Sequence, residues 1–136
     1  MGQGSGALAW LTGNFVSGSI VQIAQLWDDN GTLGLNIYVS VAGKVGTLGS
    51  YPGLGQGLGA LAWLTGDFAG TGRSQIAQPW DNNGNLEVII YGTGTAAPGQ
   101  MGVNYSDLGQ GSGALAWLTG DFTGTGLAQI AQLWDS

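Results

Sequence analysis

An octapeptide, Gly-Ala-Leu-Ala-Trp-Leu-Thr-Gly, occurs three times without change, and this repetition limits the possible folds more than any other feature. The copies are offset by 53 and then by 54 residues, and they begin at Gly6, Gly59 and Gly113. The tetrapeptide Gln-Ile-Ala-Gln recurs in the same steps. A fixed period of this length is typical of propellers, solenoids and other stacked arrays. We therefore divide the single repeat domain, 1–136, into unit 1 (2–54), unit 2 (55–108) and a half unit 3 (109–136).

The strand pattern of the repeat is clearest in unit 2. Short apolar segments alternate with turn residues, which predicts a meander of antiparallel strands. The predicted strands are Ala60–Thr65, Gln75–Trp80, Leu86–Gly92 and Met101–Leu108. Asn83-Gly84 separates the second strand from the third, and Asn-Gly is a strong hairpin signal because both residues tolerate positive φ. The first and third strands are apolar on both faces and the last is more polar, which favours a propeller blade whose inner strands lie between neighbouring blades.

These features predict an all-β protein, a β-propeller with blades of four antiparallel strands. The 136 residues hold about two and a half such blades, whereas closed propellers use about 4 to 8. We expect association of chains into a homo-oligomer to complete the ring. A longer parent chain and an architecture other than a propeller are the alternatives.

The composition excludes most catalytic and metal chemistry. Neither cysteine nor histidine occurs in the sequence, so there is no disulfide, thiolate nucleophile, Cys-based zinc site or histidine general base. The adjacent carboxyl groups of Asp28 and Asp29 point apart in a turn, and unit 2 has Asn82 in place of the second. We therefore predict that the protein is not an enzyme.

The charge balance argues against a nucleic-acid partner. Eight acidic side chains oppose only Lys44 and Arg73, which leaves no basic surface to neutralise phosphates. The apolar runs are far shorter than the roughly 20 residues that span a bilayer, so we predict no membrane insertion. No secretion signal follows Met1, and the compartment stays unknown.

The segment GDFAGTGRSQIA, from Gly66 to Ala77, and its equivalent from Gly120 to Ala131 resemble the FG-GAP (VCBS-type) repeat of integrin-like propellers. In that family a loop of approximate pattern Gly-Asp-Phe-Asn-Gly-Asp-Gly-x-x-Asp-Ile-Ala joins the first two strands of a blade around a calcium ion. The resemblance covers the first half of each unit, and the second half only through the Trp, the turn and Tyr91-Gly92. Unit length and Trp content are also similar to those of bacterial and fungal seven-bladed propeller lectins.

The loops depart from the family where calcium would bind. Calcium takes six to eight oxygen ligands, several of them carboxylates, but only the first acidic position is kept, as Asp67 and Asp121. The later positions hold Ala, Thr and Gln, and unit 1 begins its loop with Asn14. We predict no metal and no cofactor. We expect each Asp to accept hydrogen bonds from amides of its own turn, with Thr and Gln side chains replacing the metal.

The tryptophans fall into two classes by position. Those of the predicted first strand are expected to fill the space between blades, and they are Trp10, Trp63 and Trp117. Those of the second class end the second strand, and an Asp follows each of them. An aromatic ring beside a carboxylate suits a sugar, because the apolar face of the sugar stacks on the ring and its hydroxyls bond to the acid. The alternative is a Trp wedged beneath a hairpin whose Asp starts the turn.

The resemblance to propeller lectins implies carbohydrate binding, and repeated sites on one ring would convert weak contacts into avidity. The residues predicted to bind glycans are Trp27, Asp28, Trp80, Asp81, Asn82, Tyr91, Trp134 and Asp135. The alternative function is a self-assembling structural or protein-interaction repeat module, including a fragment or an engineered propeller without ligand.

Overall fold

The computed structural model describes residues 6–16, 20–55, 57–92 and 101–135. These residues form ten strands and no helix. Unit 1 contains β1 (Ala7–Gly13), β2 (Gln22–Asp29), β3 (Thr32–Val41) and β4 (Lys44–Tyr51). Unit 2 contains β5 (Leu64–Gly66), β6 (Gln75–Asn82), β7 (Asn85–Tyr91) and β8 (Met101–Tyr105). Unit 3 contains β9 (Ala116–Gly120) and β10 (Gln129–Leu133). None of the described residues belongs to a helix capable of crossing a bilayer.

Each unit forms its own sheet. Units 1 and 2 are four-stranded antiparallel meanders in the orders β1-β2-β3-β4 and β5-β6-β7-β8, and unit 3 is the pair β9-β10. The predicted all-β class and the four-stranded antiparallel sheets are therefore confirmed. The first strands are neighbours in space, because β5 contacts both β1 and β9. The sheets of the described residues do not form a closed propeller.

The predicted Asn-Gly hairpins are also confirmed. In unit 1 the turn residues Asn30 and Gly31 have φ of 52° and 89°, and in unit 2 Asn83 and Gly84 have φ of 54° and 92°. Positive φ at both central positions gives the turn the twist of the strands that it joins. The same local chemistry therefore connects the second strand to the third in both complete units.

The first strand of unit 2 is shorter than predicted. β5 covers only Leu64–Gly66, with an isolated bridge at Ala60, whereas β1 covers Ala7–Gly13. The cause is Pro79, which stands where units 1 and 3 have leucine. Its carbonyl faces the first strand and accepts a 2.8 Å hydrogen bond from the Leu61 amide. Because proline has no N–H to return to that strand, the ladder is interrupted there.

The core consists of two clusters, each shared by consecutive units. The first joins unit 1 and unit 2 and contains Phe15, Ala24, Leu26, Leu33, Leu35, Ile37, Ile76, Ile89 and Tyr91. The second contains Ala77, Leu86, Val88 and Ile90 of unit 2, with Trp117 and Ile130 of unit 3 packed against it. In each cluster the earlier unit contributes one face of its sheet, which we call its forward face, and the later unit contributes the opposite face, which we call its backward face. The same names are used for the equivalent faces of units 1 and 3 that no described unit covers.

The predicted burial of the first class of tryptophans is correct for two of the three. Trp63 packs against the first cluster and Trp117 against the second. The prediction is wrong for Trp10, which is 56% exposed, with its ring centroid 6.4 Å from that of Tyr38. Trp10 lies on the backward face of unit 1, and no described sheet covers that face.

Candidate functional site

The loop that resembles a calcium site is closed by its own backbone. The carboxylate of Asp67 accepts hydrogen bonds from the amides of Thr71 (2.8 Å, Oδ1) and Gly72 (2.7 Å, Oδ2). Positive φ at Gly70 and Gly72 turns the chain so that these amides converge on the acid. Both carboxylate oxygens of Asp67 are therefore engaged within the loop.

Gln75 stands where the FG-GAP pattern has its last Asp, and its side chain bonds to four groups of the loop. Its Oε1 accepts from the amides of Phe68 (2.7 Å) and Ala69 (3.2 Å). Its Nε2 donates to Thr71 Oγ1 (2.9 Å) and to the carbonyl of Arg73 (2.8 Å). A carboxylate could accept the first two bonds but could not donate the last two, which is why glutamine suits a loop without metal.

Unit 3 repeats this arrangement at the surface. Asp121 accepts from the amides of Thr125 (2.9 Å) and Gly126 (2.7 Å), and Gln129 accepts from Phe122 (2.6 Å). The hydrogen bond from the Gly126 amide is the largest cause that holds the pKa of Asp121 below its ordinary value, and the Thr125 amide adds to it. The expected hydrogen bonding of both aspartates is confirmed. The described residues contain no group of three or more acidic side chains that could hold a metal ion.

The Trp-Asp pairs of units 1 and 2 belong to their hairpins. Asp28 Oδ1 accepts a 3.0 Å hydrogen bond from the Gly31 amide, and Asp81 Oδ1 accepts a 3.1 Å bond from the Gly84 amide. The indole of Trp27 lies against Gly34 on the paired strand, where a Cβ atom would overlap the ring. These contacts match the alternative of a wedged Trp beneath an Asp that starts the turn.

The remaining predicted glycan residues lie in different environments. Asn82 donates a 2.6 Å hydrogen bond from Nδ2 to Glu87 across the hairpin. Tyr91 is 1% exposed, and burial raises its pKa to about 12. The indole Nε1 atoms of Trp27 and Trp80 are buried, and no described residue accepts a hydrogen bond from either. Trp134 and Asp135 are both exposed, whereas Trp27 and Trp80 are partly buried.

Two concave surfaces lie near unit 3. One is a shallow polar depression of about 550 Å³ beside the hairpin of unit 2, lined by Gly84, Asn85, Asp107, Gly109, Gln110 and Ser112. The other is a mostly apolar groove of about 560 Å³ between the forward face of unit 2 and the half-sheet of unit 3. The lining of the groove includes Val103, Tyr105, Leu108, Trp117 and Gln132.

The backward face of unit 1 exposes apolar side chains. The residues at the equivalent positions of unit 2 are buried or contact unit 1. We name Trp10, Val21 and Ile23 the first-unit face; all three are exposed. Ile23 is 40% exposed, whereas Ile76, its equivalent 53 residues later, is 1% exposed. The backbone amide of Ser74, the equivalent of Val21, donates a 2.7 Å hydrogen bond to the carbonyl of Asn14 in unit 1.

The forward face of unit 3 shows the complementary exposure. We name Leu115, Leu118, Phe122 and Leu133 the third-unit face; all four are exposed. Phe122 is 57% exposed, whereas its equivalent in unit 1, Phe15, is 2% exposed. Neither face was predicted from the sequence, although identical residues at equivalent positions, such as Leu11, Leu64 and Leu118, were the available signal.

The fold and these surfaces define a class, a tandem-repeat protein of antiparallel β-sheets whose first and last described sheets each expose an apolar face. Comparison of the chain with protein-family models, with curated proteins and with solved structures gives no significant match.

Proposed function

We propose that this chain is a non-enzymatic, self-assembling repeat module whose copies associate head to tail and so complete a β-propeller. One observation carries the proposal: residues that are buried between units 1 and 2 are exposed at equivalent positions on the two end faces. Contiguous apolar surface of this kind marks sites of protein association. The resemblance of the loops to FG-GAP repeats agrees with a propeller.

The interface between units 1 and 2 supplies the template for the contact. There the backward face of unit 2, with Trp63 and Ile76, packs on the forward face of unit 1, with Leu11 and Phe15. The first-unit face carries the same Trp and Ile, and the third-unit face carries the same Leu and Phe. A second copy can therefore repeat the internal contact with nearly identical side chains. Such a heterologous contact closes into a ring or extends, depending on its rotation.

Blocking one face at a time tests this arrangement. Ile23→Lys places a charge on the first-unit face, and Leu118→Lys places one on the third-unit face. We expect the unmodified chain to exceed its 13.8 kDa mass in light scattering and each variant to be monomeric. An equimolar mixture of the variants should form a 1:1 complex, because each retains the face that the other has lost.

The control is Leu58→Lys, which charges an exposed apolar residue of unit 2 between β4 and β5 that belongs to neither end face. It should assemble like the unmodified chain. A folded unmodified chain that stays monomeric at all concentrations, or variants that do not combine on mixing, would refute head-to-tail assembly.

Carbohydrate binding is a second candidate, and the exposed pair Trp134 and Asp135 favours it. Trp134 is 39% exposed, which leaves ring surface for the apolar face of a sugar. The polar depression beside the hairpin of unit 2 offers hydroxyl-binding groups from Asn85, Asp107 and Gln110. Repetition of such weak sites around an assembled ring would add avidity.

A glycan array probed with the assembled protein tests this candidate. We expect binding that Trp134→Ala abolishes and Leu127→Ala retains, since Leu127 is also 39% exposed in unit 3 but has no adjacent acid. The absence of any signal from folded, assembled protein would exclude glycan binding.

A further inference from the structure

The second strand of unit 3 has an edge that the described residues leave unpaired. In the complete units the second strand lies between the first and the third, as β6 lies between β5 and β7. β10 pairs with β9 alone among the described strands. Such an edge presents a row of backbone N–H and C=O groups to which a further strand can bond.

The apolar groove lies beside this edge, on the side of the half-sheet that faces unit 2. Two of its residues, Tyr105 and Leu108, are 48% and 50% exposed. Their equivalents in unit 1, Tyr51 and Leu54, are partly buried against the first core cluster. That cluster includes Ile89 and Tyr91, which the third strand of unit 2 supplies. The groove between units 2 and 3 therefore corresponds to the space between units 1 and 2 that the side chains of Ile89 and Tyr91 fill.

A glutamine in the groove indicates the side chain that such a strand would bring. In unit 1, Gln25 Oε1 accepts a 2.8 Å hydrogen bond from the hydroxyl of Tyr38, and in unit 2, Gln78 Oε1 accepts a 2.7 Å bond from Tyr91. Gln132 is the equivalent residue of unit 3 and lines the groove. Its Nε2 donates to the carbonyl of Gln110 at 3.1 Å, and no described tyrosine donates to its Oε1.

We propose that the edge of β10 and the adjoining groove bind an extended polypeptide strand of a partner with the chemistry of β7. Its backbone pairs with β10, as in other cases of strand addition. An aliphatic side chain enters the groove, and a tyrosine two residues later donates its hydroxyl to Gln132 Oε1. This site is distinct from the third-unit face, because Gln132 and Leu118 lie on opposite faces of the half-sheet.

The test uses a fluorescein-labelled synthetic peptide with the sequence of residues 83–92, NGNLEVIIYG, and follows its binding to the full chain by fluorescence anisotropy. We expect saturable binding. A peptide with phenylalanine for the tyrosine should bind about fivefold more weakly, which is the typical value of one hydrogen bond. The Gln132→Ala protein should show a similar loss with the tyrosine peptide, and its affinity should not change further with the phenylalanine peptide.

Two further variants define the location. Tyr105→Lys charges the exposed wall of the groove and should abolish binding. Leu118→Lys charges the opposite face and should leave the affinity unchanged, so that failure of peptide binding and failure of head-to-tail assembly are separate results. The proposal is overturned if no saturable binding occurs, if the effects of the phenylalanine peptide and of Gln132→Ala multiply, or if only Leu118→Lys removes binding.

Discussion

The hydroxyl of Tyr91 donates a 2.7 Å hydrogen bond to Oε1 of Gln78, and both side chains are buried. Tyr38 and Gln25 form the equivalent bond at 2.8 Å. In each complete unit this bond ties the third strand to the second at a fixed register. A polar pair of this kind is stable in a core because the donor and the acceptor satisfy each other.

Removal of the buried hydroxyl in Tyr91→Phe should lower the free energy of unfolding by about 1–2 kcal/mol, since a buried hydrogen bond is lost and the ring volume is kept. Urea denaturation followed by circular dichroism measures the change. Tyr105→Phe removes a hydroxyl from a side chain that is 48% exposed, and its effect should stay within about 0.5 kcal/mol. Equal effects of the two substitutions would contradict the role assigned to the Tyr91 bond.

Alkaline pH should destabilise the protein through the same residue. Burial raises the pKa of Tyr91 to about 12 in the folded chain, against about 10 for an exposed tyrosine. Below about pH 10 the hydroxyl of Tyr91 is protonated in both the folded and the unfolded chain, and its contribution to the free energy of unfolding is complete. Between about pH 10 and 12 the unfolded state releases the proton first, so the free energy of unfolding falls as the pH rises. Tyr91→Phe should show a shallower decline over this range, and an unchanged decline would exclude Tyr91 as its source.

Contact between neighbouring units depends on the absence of a side chain at Gly66. A Cβ atom there would lie 2.5 Å from the Cβ of Ala128 in unit 3. Gly66→Ala should therefore lower the free energy of unfolding by about 1–3 kcal/mol, a typical cost of overpacking. At the equivalent Gly120 the nearest atom is Phe122 Cε1, at 3.2 Å, and this exposed ring can move. Gly120→Ala should be the milder change in thermal unfolding, and a larger effect at Gly120 would refute the explanation.

Calcium should not stabilise the protein. Backbone amides already occupy both carboxylate oxygens of Asp67, and Gln75 fills the loop with four hydrogen bonds. A calcium ion would have to displace them while gaining few of the six to eight oxygens that it takes. The melting temperature should therefore be the same in excess EDTA and in millimolar calcium. A rise in calcium alone would show that the loop still binds metal.

The Asp121 loop should loosen only in acid. Hydrogen bonds from the amides of Gly126 and Thr125 lower the pKa of Asp121 in the folded chain. The stabilisation of the fold by this carboxylate is therefore complete above the ordinary pKa of an aspartate, and it is lost as the pH falls through the lowered pKa of the folded state. The amide proton of Gly126, followed by NMR, should report this transition. In Asp121→Asn, which lacks one of the two acceptor oxygens, the Gly126 amide should exchange faster at neutral pH. Unchanged exchange would mean that the carboxylate does not hold the loop.

The sequence predicted most of the local structure correctly. The hairpins follow from Asn-Gly dipeptides, and the loop of unit 2 follows from an Asp, a Thr and a Gln that meet amides at most seven residues away. Two strands of unit 2 are shorter than predicted: the last ends at Tyr105 instead of Leu108, and the first begins only at Leu64. The shortening of the first strand has a local cause, because Pro79 removes a donor from the ladder. The apolar pattern predicted a strand for the residues before Leu64. The hydrogen bond that Pro79 cannot donate ends the ladder there instead.

The candidate sites were less accessible to sequence reasoning. The Trp-Asp motif is the same in all three units, yet Asp28 and Asp81 cap turns while the pair of Trp134 and Asp135 is exposed. Tyr91 lies in the core. Identical residues thus have different environments, and no pattern within one unit distinguishes them.

The sequence by itself determined the repeat, most of the strands, the turns and the closure of the loop by aspartate, glutamine and threonine, because these depend on bonds between near neighbours in the chain. Only the tertiary structure decided that Trp63 is covered and Trp10 is exposed, and that an apolar groove lies beside β10. Burial of a repeat residue is set by the sheet packed against it, which comes from a unit 53 or 54 residues away. At the two ends the described chain supplies no such sheet.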